Sequence, residues 1–191
     1  MNYRFGVYGD SIAFGYGNNN TSWFDISFQD NSIKLAQNGC RIEDVWHKIN
    51  KDFNCYETLF FAIGINNLLL SHNKHCKIDF DLLIKQYEEI LKIAQNRASY
   101  IIVQSLLPVL EELFPKQDWL DEDKWIFNTD IKAFNDNLGK LCNKYNVRYL
   151  DLYDEFYSLD LKNFYIDALH LNNMGQKKLA NFYKKFIANI F

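Results

Sequence analysis

Short runs of β-branched and aromatic residues, each bounded by turn formers, recur at residues 3–8, 33–36, 58–63, 100–104 and 147–150. Their length and make-up predict five strands. Between and after them the apolar positions change to a helical period. Phe80, Leu83, Tyr87, Ile90, Leu91 and Ala94 fall on one face, as do Ile131, Phe134, Leu138, Leu141 and Tyr145, and near the end Leu179, Phe182, Tyr183, Phe186 and Ile190. A shorter helix is predicted over 42–49. Strands that alternate with helices imply crossover connections, because two parallel strands need a dozen or more residues between them. The expected class is therefore α/β: a five-stranded parallel sheet between two helical layers, α/β/α. In such a sheet a ligand binds beyond the carboxyl ends of the strands, near the point where strand order reverses.

Two stretches fit no regular period, residues 12–31 with Asn18-Asn19-Asn20, and residues 109–128, which mix Glu111, Glu112, Asp118, Asp121, Glu122 and Asp123 with Leu110, Leu113, Phe114, Trp119 and Trp125. Both follow a strand's carboxyl end, so as long loops they are candidate walls of a binding site, with plain solvated surface loops as the alternative.

Composition narrows the class without changing it. The 191 residues suit a single domain spanning 1–191, and 48% hydrophobic with 24% charged residues is ordinary for a protein with a packed core. A net charge of -3 argues against a nucleic-acid partner, which usually meets a basic face. The longest apolar run, 59–65, is far below the roughly 20 residues of a membrane-crossing helix. A strand predicted within a few residues of Met1 leaves no room for a secretory signal, so a cytoplasmic location is expected. Cys40, Cys55, Cys76 and Cys142 form no CxxC pair and read as reduced thiols. The cluster His72, His75 and Cys76 lacks a second ligand group at metal-binding spacing, so neither a metal nor another cofactor is expected.

Chemistry concentrates at strand ends. The first strand runs into Gly9-Asp10-Ser11, which sets a hydroxyl on the turn at the sheet's carboxyl edge. A serine attacks only when a base takes its proton. Of four histidines, His47 falls in a predicted helix and His72 and His75 in a polar segment, whereas His170 stands just before the last helix, whose N-cap is Asn172 or Asn173. Asp167, three residues earlier, is close enough to accept the imidazole Nδ1 hydrogen and so fix the tautomer of a base. The central strand ends in Gly64-Ile65-Asn66-Asn67, where the Asn66 amide is able to donate to an oxyanion. The second strand ends in Gln37-Asn38-Gly39-Cys40-Arg41, and Gly39 offers an unobstructed N–H toward the same point.

Gly-Asp-Ser after the first strand, Gly at the second, Gly-x-Asn at the third and Asp-x-x-His before the last helix together resemble the SGNH hydrolases, also called GDSL lipases and esterases. The likeness runs from Gly9 to His170. It implies a flavodoxin-like SGNH hydrolase fold with Ser11 as nucleophile, His170 as base, Asp167 as its orienter, and Gly39, Asn66 and the Ser11 N–H as oxyanion donors. The family's third block usually reads Gly-x-Asn-Asp, and here Asn67 replaces the acid. The implied activity is hydrolysis of small-molecule esters, with short acyl chains favoured because the acid-rich segment 109–128 suits a partly polar wall. Thioester cleavage, lysophospholipid cleavage and acyl transfer would use the same residues. A different class remains beside these: a non-catalytic module holding an anionic small molecule on the Gly9–Ser11 turn and the helix that follows.

Overall fold

The computed structural model describes residues 2–71, 78–117 and 123–190. The chain runs through β1 (Asn2–Gly9), α1 (Ser11–Phe14), α2 (Trp23–Ser27), β2 (Ser32–Lys34), α3 (Ile42–Lys51), β3 (Cys55–Ala62), α4 (Ile65–Ser71) and α5 (Phe80–Ala94). It continues with β4 (Ala98–Gln104), β5 (Lys116–Gln117), β6 (Asp123–Lys124), α6 (Asn128–Lys144), β7 (Arg148–Leu150), α7 (Tyr153–Tyr157) and α8 (Asn173–Ala188).

β2, β1, β3, β4 and β7 form one parallel sheet in that order, which is the flavodoxin-like order with its reversal at β1 and β3. The register pairs Gly9 with Ala62, so the β1 and β3 turns leave the sheet side by side. The predicted strands are all present, with ends that differ by no more than three residues. β1 and β3 lose their solvent contact toward their carboxyl ends, because helices cover both faces there.

One apolar layer joins Leu59 and Phe61 to α3, α5 and α6 through Val45, Tyr87 and Phe134. The other joins Val7 and Phe60 to α2 and α8, where the Trp23 and Tyr183 rings lie parallel, 3.7 Å apart. Both rings are fully buried, and truncating either to Ala would cost about 3 to 5 kcal/mol.

The expectation of irregular loops needs correction. Residues 12–31 hold most of α1 and all of α2, of four and five residues each. Such lengths are too short for a hydrophobic period, and caps define them instead: the Asp10 carboxylate accepts from Ile12 N, and the Asp25 carboxylate accepts from Ser22 N. Residues 109–128 contain a 3₁₀ turn at Glu111–Leu113 and the antiparallel pair β5 and β6. Asp118, Trp119, Asp121 and Glu122, and the cluster His72, His75 and Cys76, lie outside the described residues. Among the described residues no helix is long and apolar enough to cross a membrane, and no three His, Cys, Asp or Glu side chains gather at metal-binding distance.

Candidate active site

Ser11 begins α1 directly after the sheet's switch-point strand and is buried. Asp10 is the N-cap, in extended conformation, with its carboxylate turned back onto Ile12 N at 2.9 Å. Gly9 is required by crowding: a Cβ there would lie 2.4 Å from that of Ala13 and 3.0 Å from the Ala62 carbonyl oxygen. The strand thus turns into the helix within one residue and points the Ser11 side chain over the sheet edge.

His170 arrives from the opposite end of the sequence, on a narrow loop closed by Ile166 N donating to His170 O and Asn172 N donating to Phe164 O. Asp167 sits inside that loop. Its Oδ1 accepts from Leu169 N and His170 N at 2.8 and 2.7 Å, which leaves Oδ2 facing His170 Nδ1 at 2.8 Å. His170 Nε2 in turn lies 3.0 Å from Ser11 Oγ. With the neutral imidazole protonated at Nδ1, the chain of bonds runs from Ser11 O–H to Nε2 and from Nδ1–H to Asp167. This geometry is able to draw a proton from the serine as the oxygen attacks a carbonyl carbon. Asn172, rather than Asn173, is the N-cap of α8, accepting from Gly175 N at 3.0 Å.

Three hydrogen-bond donors surround the same edge. The Ser11 N–H is the first of α1, and neither it nor the Gly39 N–H is taken by any carbonyl of the described chain. Gly39 adopts φ +71°, with open space where a Cβ would stand, so its demand is conformational. Gln37 N donates to Gly9 O at 3.1 Å, which lays residues 37–41 alongside the β1 turn. Asn66 lies in the first turn of α4 rather than on a plain strand-end turn, and its Nδ2 donates one hydrogen to Cys40 O at 2.9 Å, leaving the second. Because β2, β1 and β3 are neighbours, the turns that carry Gly39, Ser11 and Asn66 are adjacent.

The residue after Asn66 accounts for the missing acid. Asn67 Oδ1 accepts from Ile42 N at 3.0 Å, anchoring α3, and its Nδ2 donates to Glu43 Oε2 at 2.8 Å. An aspartate would serve the first bond but face Glu43 with like charge. The hydrogen bonds that Glu43 accepts, from Asn67 and Arg41 among others, outweigh its partial burial and hold its carboxyl below the usual range. Asp10 moves the other way: burial, only partly offset by the backbone N–H groups it accepts, raises its pKa from 3.8 to about 7.

Gln176 and Asn18 join the halves of the site through contacts that no local pattern reveals. Gln176, fully buried on α8, accepts from Trp23 N at 2.8 Å and donates to Ile12 O at 3.0 Å. Asn18 Nδ2 donates to Tyr16 O and to Leu171 O, at 3.0 and 2.8 Å, tying the loop after α1 to the His170 loop. Tyr16 itself lies against the imidazole, ring centres 4.4 Å apart. His47 lies on α3, with its ring against Trp46.

Residues 7–178 match the GDSL-like Lipase/Acylhydrolase family. No curated protein sequence matches the chain. Among solved structures, a member of the lipolytic protein G-D-S-L family from Veillonella parvula aligns with a TM-score of 0.73 at 17% identity, covering 96% of this chain and 97% of that one. The acetyl xylan esterase AlAXEase aligns at 0.74 and 19% identity, covering 96% and 99%. A catalytic mutant of Axe2, an acetylxylan esterase from Geobacillus stearothermophilus, aligns at 0.71 and 12%, covering 96% and 93%. At these identities the likeness is one of fold.

Proposed function

Because the chain belongs to the GDSL-like lipase/acylhydrolase family, whose members act on ester bonds, we propose that it is a serine esterase cleaving short-chain carboxylic esters through an acyl enzyme. The observation that carries this reading is the unbroken sequence of contacts from Ser11 Oγ to His170 Nε2 at 3.0 Å and from His170 Nδ1 to Asp167 at 2.8 Å. Ser11 attacks the ester carbonyl while His170 takes its proton, and Asp167 stabilises the imidazolium. The Ser11 and Gly39 N–H groups and the free hydrogen of Asn66 Nδ2 receive the oxyanion. His170 then returns the proton to the departing alcohol, and a water activated by the same imidazole releases the acid. None of these steps calls for a metal or cofactor.

The rival reading, an anion held at the start of α1, meets a physical obstacle. The Asp10 carboxyl already accepts from that helix end, and it would repel an incoming anion whenever it is ionised. Free thiols at Cys40, Cys55 and Cys142 suit a reducing compartment such as the cytoplasm. A short acyl group is favoured because each added methylene gains roughly 0.8 kcal/mol only where a pocket buries it, and the acidic Glu111 and Glu112 of the loop after β4 are exposed.

The test is a series of p-nitrophenyl esters with wild type and Ser11→Ala. The expected kcat/KM peaks at acetate or butyrate and disappears in the folded Ser11→Ala variant. Retained turnover in that variant would remove Ser11 from the mechanism, and a maximum at decanoate, below micelle formation, would contradict the short acyl group.

A further inference from the structure

Arg148 opens β7, the edge strand of the sheet, and its guanidinium meets no carboxylate and makes no hydrogen bond among the described residues, although Nη1 is buried. The ring of Tyr100 lies against it, 5.1 Å from centre to guanidinium carbon. A buried N–H without an acceptor is costly, so such a group in a folded chain asks for a partner. The side chain lines a cavity of about 560 Å³ between the amino ends of β4 and β7, at the end of the sheet opposite Ser11. Gln95, Ser99, Tyr100, Tyr145 and Asn146 line it too, and among the described residues that do so Arg148 alone is charged. The Ser99 hydroxyl and the Asn146 side-chain amide make no hydrogen bond within the described chain, and Gln95 uses its Nε2 on Tyr145 O at 3.2 Å. Asn146 is fixed in the left-handed region, at φ +53°, with its N donating to Asn143 O and Val147 N donating to Cys142 O.

The surroundings keep the local charge positive. α5 and α6 end here, and helix ends carry partial negative charge, but the last carbonyls are already taken: Ile93 O and Ala94 O accept from Asn96 N and Arg97 N, as Cys142 O and Asn143 O do from Val147 N and Asn146 N. Lys92 and Lys144 are matched by Glu89 and Glu88, at 2.6 and 2.7 Å, and the Tyr145 hydroxyl also donates to Glu88. Arg148, and Arg97 just before β4, are matched by no acid among the described residues, and each lies over an aromatic ring instead. We infer that this cavity binds the phosphate group of a small phosphate monoester. A guanidinium fork grips two phosphate oxygens at once, and Ser99 and Asn146 supply donors for a third, which a carboxylate lacks. The volume falls within the roughly 300 to 1,000 Å³ of small-molecule pockets, and a wall that includes Ile101 and Val147 is left for the organic part. Nothing in this binding uses Ser11, so it stands apart from the esterase reading.

The test is isothermal titration calorimetry of the full chain with phenyl phosphate, with inorganic phosphate and phenol as the two halves of that probe. Wild type is expected to bind one phenyl phosphate with Kd on the order of 0.1 to 1 mM, inorganic phosphate about tenfold more weakly, and phenol without measurable heat. Arg148→Gln is expected to weaken phenyl phosphate at least tenfold, and Arg148→Lys by roughly three- to tenfold, since the charge stays and the fork is lost. Ser99→Ala, at an exposed position, is expected to weaken it by about two- to fivefold. No binding to wild type up to about 10 mM, phenol bound as well as phenyl phosphate, or an affinity unchanged in folded Arg148→Gln would overturn the site. Inorganic phosphate bound as tightly as phenyl phosphate would overturn the monoester. If Arg148→Gln fails to melt cooperatively, Ser99→Ala decides, and an affinity unchanged in it would overturn the site.

Discussion

Asn66 donates an amide hydrogen to the carbonyl oxygen of Cys40 across 2.9 Å, and this bond fixes the segment that presents the Gly39 N–H. One side chain therefore has two duties on the proposed reading. It offers its second hydrogen to the oxyanion and holds the loop of a second donor, while Asn67 anchors the helix start just beyond, at Ile42. Replacing it should disturb both donors at once.

Asn66→Ala is expected to lower kcat by on the order of 10² to 10³ with little change in KM, the pattern of interactions made mainly in the transition state. Steady-state kinetics on p-nitrophenyl acetate measures this. A change confined to KM would make Asn66 a substrate-binding residue instead.

Asp167→Asn keeps an oxygen for Leu169 N and His170 N but is able to turn an N–H toward His170 Nδ1, favouring the wrong tautomer. The expected loss in kcat is on the order of 10³ to 10⁴, and His170→Ala should lose at least as much. Equal activity of Asp167→Asn and wild type would exclude Asp167 from the mechanism.

Gln176→Leu keeps the volume of the side chain and strands Trp23 N and Ile12 O without partners in a buried place. Two unpaired backbone groups should cost about 2 to 4 kcal/mol, a fall in Tm on the order of 5 to 15 °C by calorimetry. An unchanged Tm would mean that the two groups find other partners.

The parts of the fold that the sequence made legible are those whose signal is local. Each strand is a run of apolar residues between turn formers, and α5, α6 and α8 repeat over enough turns for a period to emerge. Asp167 and His170 were legible for the same reason, since three residues on a tight loop suffice to bring a carboxylate to an imidazole. Ser11 and Asn66 drew notice because each follows a strand at the edge where ligands bind in such sheets. The four short helices α1, α2, α4 and α7 span seven residues or fewer and depend on caps and tertiary packing, which no period reveals. The roles of Gln176 and of Asn18, the latter named only as part of the Asn18-Asn19-Asn20 run, depend on partners more than 150 residues away, which no local pattern shows. Tyr16 likewise gains its meaning only from a ring contact across the whole chain.

Asp10 should give the protein a pH-dependent stability. Its pKa rises from 3.8 to about 7 in the folded chain, so between these values the folded state holds a proton that the unfolded state has released. The stability that comes with the neutral carboxyl is complete below about pH 4 and is lost as pH rises through 7. Asp10→Asn keeps an acceptor for Ile12 N and removes the titration. Melting curves between pH 5 and 8 should slope downward for wild type and flatten for the variant; parallel curves would show that Asp10 does not titrate in this range.

The central claim is that Ser11 is a nucleophile activated by His170, and covalent labelling tests it most directly. A fluorophosphonate incubated with the protein should add one adduct by intact mass, mapped by peptide sequencing to Ser11, and Ser11→Ala should take up none. Absence of an adduct on the folded wild type, or an adduct that persists in Ser11→Ala, would contradict the account.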